Sequence, residues 1–298
     1  MKHISIVANS IFLVISFTMI LLNSILVTSL NYAKAQDDPL IYDLVDPINN
    51  KTYVKESTNW WNWALSFNVD ENPRDKEEIT EENCGLHQNS NDTWYLTDES
   101  TRLDNKTKDI TCAIPYGKSI WLQILGSNCT VLEDQKLLMT EKGLKDCASW
   151  VFAEYPPTNI KSSGFVDGIR NTEEECMKEA NKKNSSDRLD KYMLTNNIEI
   201  NAFLDGVKVI DIKGNSPIET KQENFINPTW TCFLVPEDNP YFPWATGTHY
   251  YVGLIAGYFM GIKPLPLGSH TLDIFAKAFG NNAAQLGNVN IHYDILIK

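Results

Sequence analysis

The residues able to do chemistry are scattered along this chain, and few stand at the spacings that chemistry requires. Carboxylate pairs such as Asp70 with Glu71 and Asp75 with Glu77 fall in an acid-rich stretch, where acids ordinarily serve solubility. Glycoside hydrolysis needs two carboxylates held across a cleft, a condition that adjacency in sequence does not meet. There is neither a Gly-x-Ser-x-Gly elbow nor a His-Glu-x-x-His helix. Gly117-Lys118-Ser119 has the end of a phosphate loop, but Cys112 occupies the place of its first Gly, and Pro115 removes an amide NH from the cradle. Cys84-Gly-Leu-His87 has no second pair to complete a zinc site, and no Cys has the neighbours of a blue-copper centre. Calcium would want an Asp-x-Asp-x-Asp-Gly loop, which is missing. His249, His270 and His292 read as isolated histidines, so neither metal nor cofactor is expected. What stands out is aromatic: Tyr241, Phe242 and Trp244, with Tyr250 close behind, are predicted to form a ligand-binding surface, because such rings give large contact area with few rotors.

The elements that would position this surface are mostly strands. Pro240 and Pro243 keep the aromatic stretch out of a ladder and make it a loop between Trp230–Val235 and His249–Met260. Ile198, Ile200, Ala202 and Leu204 alternate with Glu199, Asn201 and Phe203, and Asp205-Gly206 then supplies a tight turn into Val207–Ile212. Val289, Ile291, Tyr293, Ile295 and Ile297 alternate with polar neighbours and leave His292 outward. Around Trp121, apolar residues occupy both faces, which predicts a buried central strand.

One short helix is predicted from Trp60, Trp63, Ala64 and Phe67, which share a stripe widened by Trp61 and Leu65. Ser57 or Thr58 is expected to cap it, with Asn62 and Ser66 on the wet side. Further helices are predicted over Glu133–Trp150 and Thr172–Met193, the latter with acids early and Lys182, Lys183 and Arg188 late. The fold expected is mainly β with minor α: an antiparallel, jelly-roll-like β-sandwich carrying the amino-terminal Trp-rich helix and an inserted surface helix.

Residues 1–35 read as a secretory leader, with the apolar run Ile4–Leu30 and the small-residue site Ala33-Lys34-Ala35 before Gln36. The run is also long enough to span a bilayer, so an uncleaved anchor is the alternative, and any membrane contact is expected only through this segment. Residues 36–55 are expected to be a flexible tether and 56–298 a single domain, with a helical insertion at about 170–194. Export makes the six cysteines disulfides. Six cysteines allow 15 connectivities, and sequential pairing is the one expected: Cys84 with Cys112, Cys129 with Cys147, Cys176 with Cys232. Sequons at Asn50, Asn91, Asn105, Asn128 and Asn184 are candidate glycosylation sites on exposed loops. Without Lys2 and Lys34 of the leader, 24 basic residues face 38 acidic ones, a net charge of −14. Such a body repels nucleic acid.

Trp60-Trp61-x-Trp63, Asn72-Pro73, Cys84, Trp94-x-Leu96, Cys112-x-x-Pro115-x-Gly117-Lys118, Asp205-Gly206-Val207 and Pro264-Leu-Pro-x-Gly268-x-His270-Thr271 together resemble a family of uncharacterised secreted proteins of bacteria and archaea. The resemblance runs from about Trp60 to the carboxyl terminus and rests on order and spacing, and it implies no activity. The chain departs from the pattern where acidic Asp75–Glu82 and polar Asn89–Asp92 stand in place of a smaller, Gly-rich stretch. The function expected is an exported, envelope-associated binding or structural module, with a cell-surface glycan or an envelope protein as partner. A secreted glycan-active hydrolase using paired carboxylates is the alternative.

Overall fold

The chain divides into two compact units, residues 1–40 and 41–298. The structure, a computed structural model, describes residues 40–68, 71–73, 79–97, 107–130, 169–186, 197–215, 225–237, 239, 247–279 and 285–298. The leader read over 1–35 and the helix predicted over 133–150 lie outside the described residues. Among the described residues, no helix is long and apolar enough to cross a membrane.

The second unit is mostly β. Its first sheet runs β1 (Thr93–Tyr95), β3 (Ser119–Thr130), β8 (His249–Ile262), with β7 (Phe225–Val235) on the far side of β8 and the two-residue β4 (Ile169–Arg170) continuing the β3 side. The second sheet has the order β2 (Lys108–Ile114), β10 (Gln285–Ile297), β9 (Gly268–Phe279), β5 (Asn197–Leu204), β6 (Val207–Asn215). Both sheets are mixed rather than purely antiparallel as expected: β1 runs parallel to β3, and β2 runs parallel to β10. Alternation tells which face of a strand is buried but carries no information on its neighbour's direction. The β5–β6 hairpin turns on Asp205 and Gly206 at φ 51° and 75°, the left-handed pair that such a two-residue turn demands.

A single apolar cluster joins the two sheets. Ile110 and Ile114 of β2, Ile200 of β5, Ile274 of β9 and Tyr293 of β10 meet Ile120 and Leu122 of β3 and Leu254 and Tyr258 of β8 in it. Strand β8 is buried on both faces, as a strand covered on two sides must be. Its second face, Tyr251, Ile255 and Phe259, belongs to another cluster under helix α1 (Tyr53–Leu65). Gly261 lets the Trp121 ring lie across the strand, since a Cβ there would come within 2.5 Å of that ring.

Helix α1 starts a turn earlier than its Trp block suggests. Thr52 accepts from the Lys55 NH and is the cap, whereas Ser57 and Thr58 lie inside the helix and donate to the carbonyls of Tyr53 and Val54. The buried stripe extends upward because Tyr53 is in the core, its hydroxyl donating to the Phe259 carbonyl at 2.6 Å. Trp60 is fully buried and Trp63 is 5% exposed. Trp60 Nε1 donates to the Leu96 carbonyl at 2.8 Å and Trp63 Nε1 to the Leu86 carbonyl at 3.1 Å, so both polar tips are satisfied. The stretch expected to be a tether is ordered from Ile41, which bridges Ile262, through the fully buried Ile48, because each has a place on the body to bury its side chain or backbone.

Two further helices are tied down by disulfides of the expected pairing. Cys84–Cys112 joins the short α2 (Glu81–Cys84) to β2, and Cys176–Cys232 joins α3 (Glu173–Ser186), the inserted helix, to β7. Cys147 and the side chain of Cys129 lie outside the described residues.

Two strand edges, those of β1 and β7, are closed at three points by side-chain amides that stand in for a neighbouring strand. Gln88 donates to the carbonyl and accepts from the NH of Tyr95 on β1. Asn184 of α3 does the same to Trp230 on β7, and Asn62 of α1 accepts from the Leu234 NH. Each of these backbone groups would otherwise lack a partner on the open side of its strand.

Candidate functional site

A cleft of about 490 Å³ opens between the outer face of α1, the 87–92 loop and Leu234 of β7. Its walls are rich in amides: Asn59 and Asn62 from the helix, Asn89 and Asn91 from the loop. Trp63 and Tyr95 reach it with little more than their edges, being 5% and 4% exposed. Lys51 supplies the positive charge, and Asp92 is the one carboxylate that lines it among the described residues. Of the paired carboxylates of the hydrolase alternative, Asp70, Asp75 and Glu77 lie outside the described residues.

The loop is shaped by its own hydrogen bonds. Lys118, from the Cys-x-x-Pro-x-Gly-Lys stretch, donates through Nζ to the carbonyls of Ser90 and Asn91. His87 adopts φ 54°, left-handed backbone that a non-glycine residue seldom takes. Its ring stacks on Phe67 with centroids 4.5 Å apart and planes 5° from parallel. His87 Nδ1 lies 2.9 Å from Ser66 Oγ, and Nε2 lies 3.9 Å from a Glu71 carboxylate oxygen. Glu71 is in turn held by Asn68, whose amide donates to that same oxygen at 2.9 Å and accepts from the Glu71 NH at 3.1 Å.

Behind the cleft wall lies Glu56, fully buried on the apolar side of α1. Thr93 Oγ1 and Lys51 Nζ donate to its Oε1 at 2.5 and 3.2 Å, while Asn59 Nδ2 and the Tyr95 hydroxyl donate to Oε2 at 2.7 and 3.2 Å. Burial, and then the neighbouring Glu56 charge and hydrogen bond, push the Tyr95 phenol far above its ordinary value, so it stays a donor. Three of the four donors also line the cleft, so one buried carboxylate sets the orientation of much of its wall.

Of the residues singled out in the sequence, Asn91 lines this cleft. Tyr241, Phe242 and Trp244 lie outside the described residues. Tyr250 is half-buried on β8 and packs against the inter-sheet cluster. Asn50 and Asn91 are exposed, Asn105 lies outside the described residues, and of Asn128 only the strand backbone is described. Asn184 has both amide atoms bonded to Trp230, so a glycan on Nδ2 would compete with an edge contact. His270 bridges the Asp205 carboxylate at 2.7 Å and the Pro266 carbonyl at 2.9 Å, which ties the Asp-Gly turn to the Pro-Leu-Pro segment. Sequence reading missed Glu56, Ser66 and His87. No local pattern marks a Glu as buried or a Ser as neighbour to a His 21 residues on.

His292 does face outward, paired across strands with Asp273 at 2.6 Å and flanked by Asp294 at 3.5 Å. The Asp273 hydrogen bond raises its pKa, partial burial opposes this, and the Asp273 and Asp294 charges add to the rise. A raised value in the folded state means stabilisation that is complete below the unfolded value of about 6.5 and fades as pH climbs through the folded one. The melting-temperature gap between the wild type and His292→Gln should thus be wider at pH 5.5 than at pH 9. A gap independent of pH would mean that the imidazolium contributes nothing.

No protein-family model, no curated protein and no solved structure matches this chain.

Proposed function

We propose that the protein is an exported, cell-envelope-associated binding module whose cleft beside α1 holds an uncharged polar ligand of the cell-surface glycan type. The observation that carries this reading is the cleft wall. Four side-chain amides, each able to donate and accept, converge there with a single positive and a single negative charge. Amides match the alternating hydroxyl and ether groups of a sugar, and weak charge makes an ionic ligand a poor fit. The two disulfides fit an oxidising compartment outside the cytoplasm, and the leader read over 1–35 supplies the route. A sandwich of jelly-roll type belongs to the same reading, supported by the one cluster that both sheets share. So does kinship with uncharacterised secreted proteins, supported by the way the Asp205-Gly206 turn and the His270 segment lock together.

Titration calorimetry against envelope-derived oligosaccharides tests the site. Asn89→Ala and Asn91→Ala alter exposed loop side chains and should each weaken binding about tenfold, the worth of one good hydrogen bond. If both bind as the wild type does while Trp244→Ala abolishes binding at an unchanged melting temperature, the ligand sits on the aromatic loop and not in the cleft.

A further inference from the structure

We propose that Ser66, His87 and Glu71 form a nucleophile, a base and a positioning carboxylate at one end of the cleft, suited to hydrolysing an ester carried on a polar, glycan-like ligand. The ligand class rests on the cleft reading above, whereas the nucleophile rests on its own geometry.

Ser66 Oγ stands 2.9 Å from His87 Nδ1 and 2.7 Å from the Trp63 carbonyl, so its one hydrogen has two acceptors in reach. Glu71 decides between them. A carboxylate facing Nε2 at 3.9 Å favours the ring form protonated on that nitrogen, which leaves the Nδ1 lone pair to accept from the serine. Asn68 fixes Glu71, and Phe67 fixes the plane of the ring, so the pair is oriented before any ligand arrives. The left-handed backbone of His87 is the kind of local strain that folds retain where a side chain must be aimed.

The end of α1 works against this chemistry, because a helix carboxyl terminus carries partial negative charge and an oxyanion is developing beside it. Stabilisation must come from a side-chain donor, and Asn62 is placed for it. It lies four residues before Ser66 on the same helix face and lines the same cleft, with its Oδ1 already committed to the Leu234 NH.

In the reaction, Ser66 Oγ bonds to the ester carbonyl carbon while its proton passes to Nδ1 of His87. The bond to the alcohol oxygen then breaks, and His87 returns the proton to that oxygen. Water, deprotonated by the same nitrogen, attacks the acyl-serine, releases the carboxylic acid and restores Ser66.

A fluorophosphonate probe followed by peptide mapping tests the nucleophile without any glycan. Ser66 of the full chain should be the residue modified. His87→Ala should slow its modification about 100-fold, and His87→Gln, which keeps a polar group beside Ser66 but takes no proton, should be equally slow. Added imidazole should partly restore the rate in His87→Ala but not in Ser66→Ala, and Glu71→Gln should slow it about tenfold if the carboxylate selects the tautomer. Modification spread over surface serines, or a Ser66 rate equal in the wild type and in both folded His87 variants, would overturn the proposal. An unreactive Ser66 in a protein that still binds oligosaccharide defeats only the esterase inference. A reactive Ser66 with no glycan bound defeats only the ligand class.

Discussion

Trp60→Ala should lower the free energy of unfolding by about 3–5 kcal/mol, the usual cost of emptying a buried Trp site. The ring is fully buried, edge-on to Trp61 at 5.0 Å and to Phe259 at 6.3 Å, so its loss opens a void between α1 and the first sheet. The Leu96 carbonyl would also lose the partner it has in Nε1, which adds about 1–3 kcal/mol where no water can enter. Trp60→Phe should cost less, since it fills most of the void and forfeits chiefly the hydrogen bond. Val45→Ser, at a residue 88% exposed, should stay within about 0.5 kcal/mol of the wild type. Urea denaturation of the three variants ranks them directly. If Trp60→Ala matched Val45→Ser, α1 would contribute nothing to global stability.

The second large effect is expected at Glu56. Glu56→Ala removes a buried acceptor from four donors at once and should destabilise by about 3–5 kcal/mol, as breaking a buried charged network does. Glu56→Gln is the more informative change, because its shape is kept. Each carboxylate oxygen serves two donors, so whichever one becomes NH₂ faces two hydrogens and cannot accept either. Denaturant midpoints should place Glu56→Gln between the wild type and Glu56→Ala. The cleft should respond too, since Lys51, Asn59 and Tyr95 lose a fixed partner. A Glu56→Gln protein as stable as the wild type would show that the network is satisfied without the charge.

These two residues also mark how far the sequence could be read. Trp60 announces itself, because a Trp at helical spacing from Trp63 and Phe67 has one plausible destination. Glu56 does not, because a charge is read as outward unless its donors are known, and here they come from residues 51 and 59 of its own segment and from β1. The late strands were legible for the same reason as Trp60. Ile291, Tyr293 and Ile295 alternate with His292 and Asp294, and burial follows the alternation. Nothing in that pattern says that β2 lies parallel beside β10, since such pairing is settled by the whole core. The cleft was the least legible part. Aromatic residues draw attention to 241–244, whereas the amides that line the cleft come from two separated segments and look ordinary in each.

The amide clamps on the strand edges have a chemical consequence. Those on Tyr95 and Trp230 work because one side chain offers both a hydrogen to give and a lone pair to receive. Slow hydrolysis of the Asn184 amide to a carboxylate would keep the bond to the Trp230 NH but remove the donor, and would set a negative charge against the Trp230 carbonyl. The β7 edge would then stand open at Trp230, with Asn62 still on the Leu234 NH and with Cys176–Cys232 still holding α3 nearby. An old molecule of this protein would thus fail by adhering to its neighbours through bare strand edges while its core is still whole.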